Sequence, residues 1–351
     1  MTKRTMNSNI LHETFRSYPG TFRSAIEILH ASEIKNLNSL EAIFSNNETA
    51  RTYYLSFLDE ISSVQLDSRS ALFYQLLLNA ASIFARRDCR IPVREEILTG
   101  LLRGAIGFCL DAINAESKFI NPNHSRVRIF AADLNVNNRE SRTGGDIAFM
   151  FDISEDKNRY KIIPVCFQSK RSNPQEGRRQ CIRRTNKTDK VGNHQLERLS
   201  ELAKDNINCA YLFYNNDQDA VIRRPILPVV KTVQDILLDI EQLDVNLEIN
   251  TSDLASYIVH LINNEKNVIS DAQSLEDAAT LLVERSIDQI VVISSNMDMV
   301  NNLKLVMGNL EEEDMVAAPS SGPVNFKEAF SQSSTYADLY RNNNNSDTPT
   351  M

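Results

Sequence analysis

The sequence reads Gly-Gly-Asp-Ile-Ala-Phe-Met-Phe-Asp-Ile over residues 144–153 and Tyr-Lys-Ile-Ile-Pro-Val-Cys-Phe-Gln-Ser-Lys over residues 160–170. Both stretches are rich in the β-branched and aromatic residues that favour strands. The polar residues 154–158, Ser-Glu-Asp-Lys-Asn, separate them and predict a turn. We therefore expect these two stretches to form an antiparallel hairpin.

The predicted hairpin brings three polar residues to one end of a sheet. Asp146 and Gln168 are equally far in sequence from Lys157, so a turn centred there places them side by side on adjacent strands. Residues two apart on a strand share a face, and Gln168 and Lys170 are therefore expected to point together towards Asp146. The two glycines at 144 and 145 suit a sharp backbone turn beside such a site.

These residue types are suited to metal-dependent chemistry on phosphate groups. The Asp146 carboxylate and the Gln168 amide oxygen are hard ligands of the kind that Mg²⁺ binds, with Mn²⁺ as the alternative cation. Such a cation neutralises phosphate charge and lowers the pKa of an attacking water. The Lys170 ammonium can orient that water and stabilise developing negative charge. The three residues together predict a site that hydrolyses phosphodiesters.

The surrounding segments predict an α/β fold with a mixed central sheet flanked by helices. Further strands are expected over residues 127–132, 209–214 and 289–294, where apolar and β-branched residues cluster. Helices are expected, from apolar residues at three- and four-residue spacing, near 22–45, 49–64, 68–87, 93–114, 194–203, 229–242, 251–263, 273–285 and 296–307. The chain is thus helical at both ends and α/β in its middle.

The central pattern resembles the PD-(D/E)xK nuclease superfamily, which has the restriction-endonuclease-like fold. It is similar to the branch whose last motif is Q-x-K, as in Mrr-like enzymes and effector nucleases of anti-phage systems. The matching residues are Gly145-Asp146, Gln168-Ser169-Lys170-Arg171, Gln195-Leu196 and the strand over 211–215. The resemblance implies a metal-dependent endonuclease acting on DNA in restriction or anti-phage defence. Gln168 stands where most of the superfamily has an acid.

The same resemblance implies an acid on the helix that precedes the sheet. Glu96, or its neighbour Glu95, is the candidate, and both lie in the expected first turn of that helix. Glu140 lies six residues before Asp146 and is a further candidate metal ligand. A favourable first-turn charge is the alternative explanation for the helix acids, and a solvated loop acid is the alternative for Glu140.

A basic stretch follows the proposed catalytic lysine. Residues 159–190 contain ten basic and two acidic residues, while the whole chain carries a net charge of −8. This segregation is what binding to a phosphate backbone requires, and it predicts a nucleic-acid partner. The resemblance implies that this partner is double-stranded DNA, with RNA left open. A solvated charged loop is the alternative. The residues expected to contact nucleic acid are Arg171, Arg178, Arg179, Arg183, Arg184, Lys187 and, on the following helix, Gln195.

The remaining composition favours a cytoplasmic protein. Five cysteines without a Cys-x-x-Cys pair suggest a reducing compartment. We find no apolar secretory signal and no apolar run long enough to cross a membrane. Three of the thiols, at Cys109, Cys166 and Cys209, lie in or beside apolar runs and are expected to be buried.

The sequence therefore predicts four regions. They are a helical N-terminal region over residues 1–90, a nuclease-like core over 91–224, a mainly helical C-terminal region with one short strand over 225–310, and a disordered tail over 311–351. The helical ends are expected to form a homo-oligomer or bind a regulatory partner. Two other functions fit the pattern less fully. They are a non-catalytic nucleic-acid-binding or regulatory protein on a degenerate nuclease fold, and a helical interaction protein.

Overall fold

A computed structural model describes much of the chain between residues 3 and 294. The described residues are 3–30, 68–89, 91, 93–120, 128–133, 145–154, 161–172, 179–181, 195–215, 225–239, 244–270 and 289–294. By its contacts the chain divides into two compact units, 1–300 and 301–351, and every described residue belongs to the first. The expected helices at 49–64, 273–285 and 296–307 and the expected tail at 311–351 lie outside the described residues.

Seven helices are present among the described residues. Their bounds are α1 Lys3–Ser17, α2 Pro19–His30, α3 Ser68–Arg87, α4 Glu95–Ile120, α5 Gln195–Ala203, α6 Val233–Asp239 and α7 Leu254–Asn263. The start of α4 carries Glu95 and Glu96, whose charges favour the positive end of the helix dipole. The start of α7 is capped by Asp253, whose side chain accepts a hydrogen bond from the Ser256 amide.

The described strands number ten, and eight of them form one mixed sheet. Their bounds are β1 Arg128–Asp133, β2 Ile147–Asp152, β3 Lys161–Arg171, β4 Arg179–Cys181, β5 Asn208–Tyr214, β6 Val229–Thr232, β7 Asp244–Asn246, β8 Ser252–Asp253, β9 Ile269–Ser270 and β10 Gln289–Ser294. The strand order is β1-β10-β2-β3-β5-β6-β8, with β9 paired to β3. Strands β4 and β7 form a separate pair.

The hairpin of β2 and β3 lies at the centre of this sheet and has the predicted register. The two strands are antiparallel, and Ile147 pairs with Phe167. Strand β5 runs parallel to β3, and β10 runs parallel to β2. Because β3 and β5 are parallel, the chain between them, which contains α5, returns from the end of β3 to the start of β5. The predicted α/β fold with a mixed sheet and flanking helices is confirmed.

The far end of the hairpin is closed by a buried carboxylate. Asp152, at the end of β2, is fully buried, and its Oδ1 accepts hydrogen bonds from the Ser154 amide at 2.9 Å and from the Ser154 hydroxyl. Its Oδ2 accepts from Ser294 Oγ on β10 at 2.6 Å. The Ser154 hydroxyl oxygen also accepts from the Lys161 amide at 2.7 Å. Asp152 thus joins three strands at a closed end.

One face of the sheet packs into the main hydrophobic core. Alternate residues of β2, β3 and β5 contribute to it, for example Phe149, Phe167 and Leu212, and α3, α4 and α7 supply the other side. Burial of this kind contributes roughly 25 cal/mol per Å² of apolar surface. The thiols of Cys109, Cys166 and Cys209 are buried as predicted.

The C-terminal region has more strands than the sequence predicts. Residues 229–232 form β6 in the main sheet, where a helix was expected to begin, and α6 starts only at Val233. The run Val-Val-Lys-Thr contains three β-branched residues, and pairing with β5 settles its conformation. The segments 225–239 and 244–270 therefore extend the same sheet that contains the hairpin. The predicted strand at 289–294 is confirmed as β10.

Candidate active site

Asp146 and Gln168 are hydrogen-bonded to each other at the open end of the hairpin, which is the end where β2 begins and β3 finishes. The Gln168 amide nitrogen donates to both carboxylate oxygens of Asp146, at 2.9 and 2.8 Å. The Ser169 backbone amide donates to Asp146 Oδ2 at 2.7 Å, and the Asp146 amide donates to the Phe167 carbonyl at 2.8 Å. The hairpin therefore brings the two side chains together as the sequence spacing predicts.

The side-chain amide of Gln168 is buried, and of its two polar atoms only the nitrogen has hydrogen-bond partners among the described residues. Its side chain is 1% exposed, and among the described residues none donates a hydrogen bond to its Oε1. A carboxylate only accepts hydrogen bonds, so the amide nitrogen must face Asp146 and the oxygen must face away. A buried acceptor without a donor costs about 1–3 kcal/mol. Such a group needs an explanation, and a ligand of Gln168 would provide one.

Gly145 is required by close packing at the start of β2. A Cβ atom at this position would lie 2.3 Å from the Cys166 sulfur, 3.6 Å from the Phe167 carbonyl oxygen and 3.8 Å from a methyl carbon of Leu199. Any larger residue would push the backbone away from β3 and carry Asp146 with it. The glycine therefore keeps Asp146 within hydrogen-bond distance of Gln168.

Lys170 lies two residues after Gln168 on the same face of β3, and its side chain contacts an acid from α4. Its ammonium is 3.9 Å from Glu95 Oε2, and the two side chains are 16% and 30% exposed. Glu95 Oε1 also accepts from the Arg171 backbone amide at 3.0 Å. Glu96 is exposed, because adjacent helix residues point about 100° apart and only one of the two can face β3. The structure thus brings Glu95, rather than Glu96, to Lys170.

Three hydroxyl groups that the sequence reasoning missed lie directly behind these residues. Thr99 Oγ1 is 2.9 Å from Ser169 Oγ and 2.9 Å from the Tyr214 hydroxyl, and the last two are 3.2 Å apart. All three side chains are buried. Burial raises the pKa of the Tyr214 phenol, hydrogen bonds with Ser169 and Thr99 lower it in part, and the phenol stays protonated. Strand alternation places Ser169 on the opposite face from Gln168 and Lys170, but it does not indicate which helix packs there.

The structure describes only some of the residues that were predicted to contact nucleic acid. Arg171 is exposed at the end of β3, and Arg179 begins β4. Gln195 begins α5 and is 4% exposed, so it is a buried residue rather than a surface one. No described residue donates a hydrogen bond to its Oε1. Five predicted site residues, Glu140, Arg178, Arg183, Arg184 and Lys187, lie outside the described residues.

The described part of the chain offers few ligands for a metal ion. It contains no group of three or more His, Cys, Asp and Glu residues that could hold a metal ion. The donor set of Asp146 and Gln168 has one carboxylate and one amide, and such a set leaves several positions for water and phosphate oxygens, as Mg²⁺ prefers.

None of the described helices has the length and apolar composition that a membrane span needs.

A family model matches residues 121–236 of the chain. Its description is family of unknown function (DUF6615). The matched segment includes Asp146, Gln168 and Lys170 and ends inside α6, while Glu95 on α4 precedes it. No curated protein and no solved structure matches the chain.

Proposed function

We propose that this protein is a metal-dependent endonuclease that hydrolyses phosphodiester bonds in double-stranded DNA. The observation that carries the proposal is the pairing of Asp146 with Gln168 at 2.8–2.9 Å while the buried Gln168 Oε1 has no hydrogen-bond donor among the described residues. If the Gln168 amide rotates so that this oxygen faces Asp146, a cation bound between the two side chains would supply the partner that the oxygen lacks. The order of α4, the β2–β3 hairpin, α5 and the parallel strand β5 supports the restriction-endonuclease-like core that the sequence resembles.

The residues present fit Mg²⁺ or Mn²⁺. Asp146 is partly exposed and has an anionic oxygen pair, and rotation of the Gln168 amide about its soft terminal torsion presents Oε1 in place of the nitrogen. When bound, such a cation would offset phosphate charge and acidify a water molecule. Glu95 is the acid on α4 that the proposal takes as the second anionic residue of the site, after Asp146.

Residues of the chain itself would stabilise charge and contact the phosphate backbone. Lys170 is 16% exposed, so its ammonium is partly shielded from water, which strengthens its attraction to a developing phosphate charge. Glu95 keeps that ammonium near the open end of the hairpin. The exposed Arg171 follows at once, where it can contact the phosphate backbone beside the scissile bond. The setting in restriction or anti-phage defence is part of the proposal by resemblance alone.

The test is degradation of supercoiled plasmid and of duplex RNA by purified protein with Mg²⁺, Mn²⁺ or EDTA. We expect cleavage of DNA with either cation, no cleavage in EDTA, and a loss of about 100-fold in kcat for Lys170→Met, as for removal of one charge-stabilising donor. Lys161→Met is the matched control. It removes a lysine from the other end of β3, whose ion pair with Glu265 is partly solvated and contributes little.

Three outcomes would count against the proposal. Lys170→Met cleaving at the parental rate would remove the assigned role of that residue. Salt-sensitive DNA binding without turnover would favour the non-catalytic nucleic-acid-binding alternative. Cleavage of RNA but not DNA would keep the reaction and change the substrate.

A further inference from the structure

A hydroxyl cluster, defined as the side chains of Thr99, Ser169 and Tyr214, joins three elements behind the candidate site. Thr99 belongs to α4, Ser169 to β3 and Tyr214 to β5. Thr99 Oγ1 lies 2.9 Å from each of the other two oxygens. It is also 3.0 Å from the backbone carbonyl of Glu95, one helical turn earlier. Thr99 is therefore the central member of the cluster.

The direction of one hydrogen bond in the cluster is fixed by chemistry. A carbonyl oxygen can only accept, so the single Thr99 hydroxyl proton is donated to the Glu95 carbonyl. The Thr99 oxygen then accepts from Tyr214, from Ser169 or from both, and each hydroxyl has a partner. The cluster is complete and neutral, because burial raises the pKa of the Tyr214 phenol.

The cluster bears directly on the position of the Glu95 carboxylate. Thr99 anchors the first turn of α4 to β3 at Ser169, the residue between Gln168 and Lys170. The same turn carries Glu95, whose carboxylate accepts from the Arg171 amide at 3.0 Å and lies 3.9 Å from the Lys170 ammonium. Apolar contacts around it are non-directional, whereas hydrogen bonds fix rotation and sliding of the helix.

We propose that Thr99, Ser169 and Tyr214 are positioning residues that hold Glu95 against Lys170 and Arg171. None of them needs to touch substrate, and their effect passes through the Glu95 carboxylate. The predicted effect on cleavage rests on the proposed function. The effect on the contact between Glu95 and the Arg171 amide does not, and the two are tested separately.

The most informative variant is Thr99→Val. It keeps the shape of the side chain and removes the link between α4 and the sheet, while Ser169 and Tyr214 remain 3.2 Å apart and can pair with each other. Thr99→Ser keeps the hydroxyl and is the rescue variant. Thr21→Val is the matched control, because Thr21 is also buried in a helix and its Oγ1 donates to the backbone carbonyl of Tyr18.

The first readout is hydrogen exchange of the Arg171 amide, measured by NMR with arginine-selective ¹⁵N labelling. In Thr99→Val we expect the exchange of this amide to accelerate about tenfold, the size of one lost hydrogen bond. Thr99→Ser and Thr21→Val should keep the parental rate. Unchanged Arg171 exchange in folded Thr99→Val would overturn the proposal, whether or not the protein cleaves DNA. Tyr214→Phe, which leaves Thr99 and Ser169 paired, provides a second variant with the same expectation and a smaller effect.

The second readout is a double-mutant cycle in the cleavage assay. Thr99→Val should lower kcat about 10-fold or more with KM unchanged, as loss of an outer-shell partner does. In the Glu95→Ala background it should cause no further loss, because that variant removes the carboxylate through which the effect passes. Additive losses would show that Thr99 supports the fold generally and would overturn the positioning role. Absence of cleavage by the wild type would contradict the proposed function instead, and the exchange measurement would still decide this inference.

Discussion

Each end of β2 carries an aspartate, and the surroundings of the two differ. Asp152 is fully buried, and its oxygens accept from the Ser154 amide and hydroxyl and from the Ser294 hydroxyl. Asp146 is partly exposed and faces the amide of Gln168, whose oxygen has no hydrogen-bond donor among the described residues. The comparison separates a fully buried carboxylate from a partly exposed one, which the proposed function takes as a cation ligand.

The largest effect expected from this comparison is on cleavage. Asp146→Asn should lower the Mg²⁺-dependent rate more than about 100-fold, since even outer-shell partners of metal ligands cost 10–100-fold. Asp152→Asn, the same substitution at the other end of β2, should leave the rate of the folded protein near parental. Plasmid cleavage at a temperature where both variants are folded measures the difference. Equal loss in both variants would remove the distinction between the two ends.

The stability of the same two variants should show the reverse order. Asp152→Asn places a buried amide where a carboxylate accepts hydrogen bonds, and it should cost about 1 kcal/mol of unfolding free energy. Asp146→Asn should cost less, because the Gln168 amide can rotate so that its oxygen accepts from the new amide. Urea unfolding in EDTA compares the two directly.

An intermediate effect is expected from Gln168→Glu, which tests the role of the neutral amide. The variant places a second carboxylate within 3 Å of Asp146 and removes the donor that now holds it. We expect the free energy of unfolding in EDTA to fall by about 2 kcal/mol, since hydrogen bonds to charged groups contribute ~1.5–3 kcal/mol. Mn²⁺ should restore this stability and bind more tightly than to the parent, because the site gains a negative charge.

A matched control for Gln168→Glu is Gln195→Glu. Gln195 is also buried and has a side-chain oxygen without a donor among the described residues, but it lies on α5. Its variant should lose stability without recovering it in Mn²⁺. Recovery in both variants, or in neither, would contradict the assignment of Gln168 as a metal ligand.

The sequence was sufficient to predict the part of the site that depends only on the hairpin and on the two-residue period of its strands. The register of β2 and β3 follows from the equal distances of Asp146 and Gln168 from Lys157, because a hairpin pairs residues that are symmetric about its turn. The face shared by Gln168 and Lys170 follows from the two-residue period of a strand. Neither step needs knowledge of any other element.

The parts that the sequence left open depend on how distant elements pack. The choice between Glu95 and Glu96 requires the rotation of α4 about its axis, which the contact with β3 sets. The hydroxyl cluster joins residues 70 and 115 positions apart, so no local pattern indicates it. The strand β6 forms because β5 offers an edge for pairing, and helical spacing in the same residues competes with that outcome.

The most direct measurement of the central claim is Mn²⁺ binding by isothermal titration calorimetry to the wild type, Asp146→Asn and Asp152→Asn. We expect the wild type and Asp152→Asn to bind with the same affinity, and Asp146→Asn to bind at least about 10-fold more weakly. An Asp146→Asn isotherm identical to that of the wild type would contradict the claim that Asp146 and Gln168 form a metal site.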